Sequence, residues 1–426
     1  MSLPLPPSLY AETAIPAHPT PPFAGDATCD VAVVGGGFTG LSAALHLAEQ
    51  GATVTLLEAG EPGWGASGRN GGQVNPGLKL DPDQVERDFG AELGGRMIRL
   101  SYGAPDAVFE LIRRHQIPCE ARQEGTLRAA ITKADLASLR STAEQCLRRA
   151  MPVQLLLGEE AAALTGTTRY VGALLDRRGG NLNPLSYARG LARAAAQAGA
   201  RIHGGSAVLA LQPDSPGWHL RTAAGTLRAQ KVVLATNGYT GRLWPGLRES
   251  VVPVFSSMAA TEPLSDAVAR QVMPLRASLY EIGPVTVYYR VDRDNRLLMG
   301  GRGPQRPIRD HHPVRYLIDY AETLWPAVRG VRWTHGWNGQ LAMTPDHYPH
   351  LHQPAPGLLA GLGYNGRGVA MATAMGAQLA AFALGRPATE LDLPVTPIRP
   401  IPLHRLWRLG VWAKVTQGRL LGALAG

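Results

Sequence analysis

The residues with the clearest chemical potential stand near the start of the chain. Gly35-Gly36-Gly37-Phe38-Thr39-Gly40 has the spacing G-x-G-x-x-G, and an acid, Glu58, follows 23 positions after Gly35. Each residue type has a physical task. Gly35 permits a tight turn, Gly37 lets the backbone approach a pyrophosphate, and Gly40 lets a helix pack closely on a strand. The pyrophosphate would rest on the free N–H groups and positive dipole end of the new helix, around Phe38 and Thr39. Glu58, followed by Ala59, can accept hydrogen bonds from a ribose diol and repels a 2′-phosphate. This is dinucleotide chemistry, and by itself it does not separate NAD from FAD.

The elements that must position these residues are legible around them. Residues 30–34 form a short apolar β-run before the glycines, residues 41–50 are helix formers with Ala44 and Leu47 on one face, and residues 53–57 form a second β-run that stops at Glu58. Strand, glycine turn, helix, strand and acid make the fingerprint in its required context. A second glycine-rich stretch follows, Gly63-Trp64-Gly65-Ala66-Ser67-Gly68-Arg69-Asn70-Gly71-Gly72-Gln73, with five glycines in eleven residues. Such a backbone passes flush against a flat or charged ligand.

On these residues the chain resembles the D-amino-acid-oxidase-like superfamily of FAD-dependent oxidoreductases, nearest the branch of gamma-glutamylputrescine oxidoreductases and bacterial L-pipecolate oxidases, where GWGASGRNGGQ is a signature. The resemblance implies that Ala66 and Ser67 meet the FAD pyrophosphate and that Arg69, Asn70, Gly71, Gly72 and Gln73 run beneath the flavin ring. It runs from about residue 30 to 403. Val208, in a β-run over 207–211, would touch the adenine. Ala235 and Thr236 end the return strand that begins at Lys231. Gly363, Tyr364, Asn365, Gly366, Gly368 and Val369 look like the carboxy-terminal flavin motif, with a helix N-terminus facing the O2/N1 edge of the ring. No cysteine or histidine stands inside these motifs, so FAD is expected to be non-covalent.

The fold class expected is α/β, with a Rossmann-like FAD-binding domain that is discontinuous in sequence and an α+β second domain built on a mixed β-sheet. A Pro-rich arm takes residues 1–25. The FAD domain takes 26–80, 150–240 and 335–400, and the substrate domain takes 81–149 and 241–334. Within the latter, residues 285–291 and 296–300 read as a β-hairpin with a polar turn. Residues 401–426 read as a basic amphipathic helix.

The implied reaction is hydride removal from the carbon beside an amine nitrogen, giving an imine that water hydrolyses. A neutral amine lone pair can drive the transfer, so no acid/base residue is obligatory. The expected substrate is a small amine or imino acid, a cyclic imino acid of the L-pipecolate kind first and a gamma-glutamylated polyamine second; a flavoprotein acting on RNA is a more distant alternative. The electron acceptor is oxygen or a quinone-type carrier. Amino-acid oxidases of the superfamily often carry Gly-Leu-Arg-Pro before T-x-D; here Gly339-Gln340-Leu341-Ala342 precedes Met343-Thr344-Pro345-Asp346, with Leu341 where that arginine would stand. Arg290 and Arg302 are the candidates to replace it, each with a surface or salt-bridged role as the alternative. Tyr288 and Tyr289 alternate along a strand, so only one can face the pocket, and Tyr289 is the candidate. Trp333, His335 and Trp337 share strand parity and either wall the pocket or pack the sheet. Lys79, just after the glycine loop, stands near the flavin or in an exposed loop. His347, His350 and His352 lack metal-ligand order, and no metal is expected.

Composition bounds the remaining possibilities. Of 426 residues, 45% are hydrophobic and 18% charged, which excludes wholesale disorder. Basic residues exceed acidic ones by 42 to 33, yet only four are lysines and no basic run is interleaved with aromatics, so nucleic acid is not an expected partner. After Asp392 there is no acid, while Arg399, Arg405, Arg408, Lys414 and Arg419 supply +5 of the +9. That tail can rest on an anionic membrane surface or pack on protein. Three scattered cysteines suit a reducing compartment, and no secretory or membrane-spanning segment is expected. The location expected is cytoplasmic, with a peripheral position on the inner face of the membrane as an option.

Overall fold

The computed structural model describes residues 3–283 and 286–411. Two large sheets organise them, each eight-stranded. The first carries the glycine turn. Six of its strands run in the order His350–Ala355, Leu358–Leu362, Gly225–Leu234, Gly25–Val34, Val54–Leu57 and Arg201–His203, parallel except for the antiparallel first edge, and Trp218–Arg221 and Ala210–Pro213 branch antiparallel from Gly225–Leu234. Strands buried on both faces read as unbroken apolar runs, and Val54–Leu57 is buried throughout. Helices Phe38–Glu49, Pro184–Gln197 and Gly368–Ala383 cover one face in a single apolar cluster that includes Leu41, Leu45, Leu191 and Met375. The other face packs on Trp218, Leu227 and Leu247.

The second sheet is mixed. It runs Trp333–Met343, Val252–Thr261, Leu297–Arg302, Tyr288–Val291, Ser278–Glu281, Thr126–Ala130, Gly172–Asp176 and Val153–Leu157. One face packs on helix Arg315–Leu324, with Leu127, Leu279, Met299 and Leu317 in its core. The division expected from sequence put residues 150–176 and 335–343 with the first sheet; their strands hydrogen-bond into the second. Short apolar strands carry no local mark of which sheet they join, so that assignment is made by pairing alone. The hairpin is present, with Asp292 Oδ1 accepting from the N–H groups of Asp294 (3.0 Å) and Arg296 (2.7 Å) at its turn.

The amino-terminal arm is docked: it forms a short helix, Leu9–Thr13, whose Leu9 and Tyr10 are buried against Leu185, Met258 and Trp337. Most of the expected carboxy-terminal helix lies outside the described residues, which end with a 3-10 turn, His404–Leu406, running into a helical turn over 407–411; the side chains of Leu403, Leu406 and Leu409 are exposed.

Candidate functional site

The glycine turn is tight. Gly35 has φ +106°, and a Cβ on Gly40 would lie 1.9 Å from the Gly35 carbonyl oxygen, so helix Phe38–Glu49 presses on the turn with no room for a side chain. Gly37 is the N-cap and supplies no side-chain cap. The Phe38 N–H donates to Ser67 Oγ at 3.0 Å, which ties the second glycine stretch to the first. Glu58 accepts from the N–H groups of Gly36 (2.6 Å) and Gly60 (2.8 Å). Burial pushes its carboxyl upward, and these backbone donors oppose that. Exposed Ala59 follows it. Ala235 donates to Val34 O at 2.8 Å, and Thr236 Oγ1 bonds Thr240 Oγ1. Val208 is half-buried and precedes the strand, which spans Ala210–Pro213 and not 207–211.

The Gly63–Gln73 stretch is braced from within. Asn70 Nδ2 donates to the carbonyls of Ala66 (3.0 Å) and Ser67 (2.9 Å), and its Oδ1 accepts from Gly72 N (2.8 Å). Arg69 gives its donors to Gly65 O, Asn338 O and Tyr239 OH, with its guanidinium between the rings of Trp64 and Tyr239. Its contacts are therefore with the framework. Gln73 Nε2 donates to the carbonyls of Leu279 (2.9 Å) and Tyr289 (3.2 Å), locking the stretch to the second sheet. At the carboxy-terminal motif Gly363, Asn365 and Gly366 all have positive φ. Asn365 Oδ1 accepts from Thr344 N (2.9 Å) and Tyr364 OH meets Thr39 Oγ1 (2.5 Å), so the motif touches the first helix. Helix Gly368–Ala383, which includes buried Val369, starts without a side-chain cap.

Register decides which side chains of the second sheet confront this stretch. Arg128 pairs with Tyr280, Tyr280 with Tyr288, Tyr288 with Gly300 and Gly300 with Met258, while Arg302 pairs with Ser256 and Met258 with Trp337. Paired residues share a face, and i, i+2 residues share it too. This is the face against the glycine stretch, since a Cβ on Gly71 would meet Tyr288 Cε2 at 2.7 Å. Tyr288 OH bonds Ser256 Oγ at 2.8 Å.

Tyr289 is on the opposite face. It is fully buried, its hydroxyl bonded to Tyr170 OH (2.8 Å) and its ring edge-on to Trp325. The expectation that Tyr289 lines the pocket is corrected: it is sealed in the opposite core, and Tyr288 is the one on the face against the glycine stretch. Arg290 shares the correct face but is committed, its Nε to Gly71 O (2.8 Å) and its Nη2 to Tyr10 OH (3.2 Å). Trp337 lies behind the stretch, donating to Arg69 O at 3.0 Å. Trp333 does not share its side, because the register shifts at Ala260/Thr261 and turns Trp333 into the other core. His335 faces Glu12 of the arm at 3.1 Å.

Arg302 is half-buried at the end of its strand. Lys79 is accessible to solvent yet walled by protein: burial first, then the charges of Arg367, Arg128 and Arg302, pull its ammonium down to about 8. Sequence reasoning missed Arg128, Tyr280, Tyr288 and Arg367. Only strand parity with Arg290 could have singled out Tyr288.

The cradle fits FAD. Two glycine turns have no space for Cβ atoms at Gly40 and Gly72, two uncapped helix N-termini flank them, and an acid closes the second strand. This is the architecture of a dinucleotide-binding flavoenzyme. The chain belongs to the DAO family of FAD dependent oxidoreductases, whose pattern matches residues 30–382. It is 35% identical over 406 residues to the gamma-glutamylputrescine oxidoreductase of Escherichia coli K12, covering 94% of each chain. A probable oxidoreductase, OrdL, of Rhizobium meliloti is 32% identical over 387 residues, 90% of each. Among solved structures, glycine oxidase from Geobacillus kaustophilus superposes with a TM-score of 0.73 at 25% identity, covering 88% of this chain and 99% of that one. Among the described residues no helix is long and apolar enough to cross a membrane.

Proposed function

We propose that this enzyme oxidises the C–N bond of a small amine of the gamma-glutamylated polyamine type, producing an imine that water hydrolyses to an aldehyde and ammonia. The observation that carries the reading is the braced glycine stretch packed against Tyr288 of the second sheet, in a chain 35% identical to gamma-glutamylputrescine oxidoreductase. The cyclic imino acid expected first from the sequence has no counterpart among the relatives named above.

FAD supplies the two-electron acceptor for a hydride from the carbon beside nitrogen. Gly35, Gly37, Phe38, Thr39 and Gly40, with Ala66 and Ser67, would hold its pyrophosphate; Glu58 and Ala59 would hold the ribose, and Val208, Ala235 and Thr236 would flank the adenosine. Asn70, Gly71, Gly72 and Gln73 would hold the ring, together with Gly363, Tyr364, Asn365, Gly366, Gly368 and Val369. Arg69 braces the glycine stretch through Gly65 O, Asn338 O and Tyr239 OH. Tyr288 orients the amine and excludes water on the substrate side. No side chain need take the proton from nitrogen, since an amine reacting as its free base carries the lone pair that drives the step.

Oxygen or a quinone accepts the electrons. Exposed Leu403, Leu406 and Leu409 beside Arg405 and Arg408 support an anionic membrane surface as the place of transfer. The test is product analysis with a panel of gamma-glutamylputrescine, putrescine, glycine and L-pipecolate. Aldehyde and ammonia formed fastest from the first support the reading; a preference for L-pipecolate overturns it.

A further inference from the structure

The register that puts Tyr288 over the glycine stretch also sets cations on that same face of the sheet, Arg128 to one side of Tyr288 and Arg302 to the other. Arg128 and Tyr280 are direct partners on adjacent strands. Arg367, from the carboxy-terminal motif, donates to Tyr280 OH at 2.7 Å and stacks over its ring at 4.6 Å. Arg128 reaches Asp81 at 3.2 Å, and Lys79 precedes that acid by two residues. Lys79 in turn feels the charges of Arg367, Arg128 and Arg302, opposed by Asp81. Four cations therefore share one carboxylate, leaving +3 uncompensated.

Their hydrogen-bonding capacity is also unspent. Arg128 Nε is buried without an acceptor. Among the described residues neither Lys79 nor the Arg302 guanidinium has a hydrogen-bond or ion-pair partner. A structural ion network would pair these charges; here Arg128 and Arg367 are paired with Asp81 and Tyr280, while Lys79 and the Arg302 guanidinium are left without a described partner.

We infer that Lys79, Arg128, Arg302 and Arg367 form a subsite for a carboxylate carried on the substrate several bonds away from the amine that is oxidised. The claim rests on the amine-oxidation reading and sharpens its specificity. Arg128 lies two strand spacings from Tyr288, about 10 Å across the sheet, whereas the carboxylate of an α-amino acid is only two bonds from its nitrogen. An α-amino acid is thus too short to engage both ends. The same positive field repels the second ammonium of a free diamine, so a diamine masked by a carboxylated group is accepted and the free diamine is rejected. With Leu341 at the position where related oxidases place an arginine, recognition of the anion has moved from that strand to this group of cations.

The test uses the FAD-loaded enzyme and three amines of one length: 8-aminooctanoate, n-octylamine and 1,8-diaminooctane. KM for 8-aminooctanoate should be about tenfold below that of n-octylamine, as one charge-assisted contact requires, and the diamine should be worst. Arg302→Met and Lys79→Met should raise KM for 8-aminooctanoate about tenfold with kcat and both n-octylamine constants within about twofold. Neither side chain has a described partner to orphan, so both variants should fold; equal FAD content and melting temperature check this. A readout independent of turnover is glutarate binding, followed by calorimetry and by perturbation of the flavin band. It should weaken in both variants and at high salt, and should survive in Arg302→Lys. Equal KM for 8-aminooctanoate and n-octylamine, or glutarate binding unchanged in the variants, overturns the subsite. Failure of all three amines to reduce the flavin overturns the amine reading itself, a different outcome.

Discussion

Adjacent tyrosines on one strand should behave as opposites. Tyr289→Phe removes a hydroxyl that meets Tyr170 OH at 2.8 Å, but Tyr170 keeps its bond to Glu281 Oε1 at 2.7 Å, so no buried donor is orphaned. The expected cost is that of one net hydrogen bond, about 1 kcal/mol, or about 1 °C in melting temperature for a chain of this size. Because that ring is sealed in the core beside Trp325, the flavin spectrum and kcat/KM should stay within about twofold of the parent. Tyr288→Ala does the reverse. It removes the ring that stands 2.7 Å from a Cβ position at Gly71 and 2.1 Å from one at Gly300, leaving the cofactor-facing stretch without its wall. For a half-buried ring the stability loss should be about 2–3 kcal/mol, below the range for full burial. Loss of orientation should cut kcat/KM about tenfold or more, with a displaced flavin band. Stopped-flow reduction and thermal melts of both variants decide the matter. If Tyr289→Phe impairs turnover while Tyr288→Ala leaves it intact, the register argument is wrong.

Gly40→Ala forces a methyl to within 1.9 Å of the Gly35 carbonyl, which neither helix nor strand can relieve locally; the purified variant should be colourless or insoluble. Glu58→Arg removes the acceptor for Gly36 N and Gly60 N and sets a cation at the ribose position, so FAD should be lost on gel filtration; full occupancy there would count against the ribose assignment. Glutarate binding should fall as pH rises above about 8. The depressed Lys79 ammonium, set among Arg367, Arg128, Arg302 and Asp81, is charged below that value and neutral above it, and bound anion favours the charged form. In Lys79→Met the fall should vanish, as a calorimetric pH series would report.

What was legible in the sequence was local. The turn at Gly35 and Gly40 and the acid at Glu58 follow from constraints that act within thirty residues, and the glycine stretch carries its own conformational signature. What was hidden depended on partners distant in sequence. Alternation told that Tyr288 and Tyr289 face opposite ways, but the side was chosen by Glu281, Tyr170 and Trp325, which share a core with Tyr289. Parity failed for Trp333 because a register shift lies between it and Trp337. Arg69, flanked by glycines, looked like a ligand contact, yet its acceptors are the carbonyls of Gly65 and Asn338 and the hydroxyl of Tyr239. Arg128 and Tyr280 stand about 150 residues apart and meet only through strand pairing. The arm's Tyr10 was invisible for the same reason: nothing near it in sequence needs it, while Arg290 does.

Oxygen-free mixing of the yellow enzyme with gamma-glutamylputrescine, followed at the flavin absorption band, probes the proposal with no assumption about the electron acceptor. The band should disappear in a single turnover, with one equivalent of aldehyde per flavin after quenching. A band that persists with this amine and with every other amine or imino acid offered would contradict it.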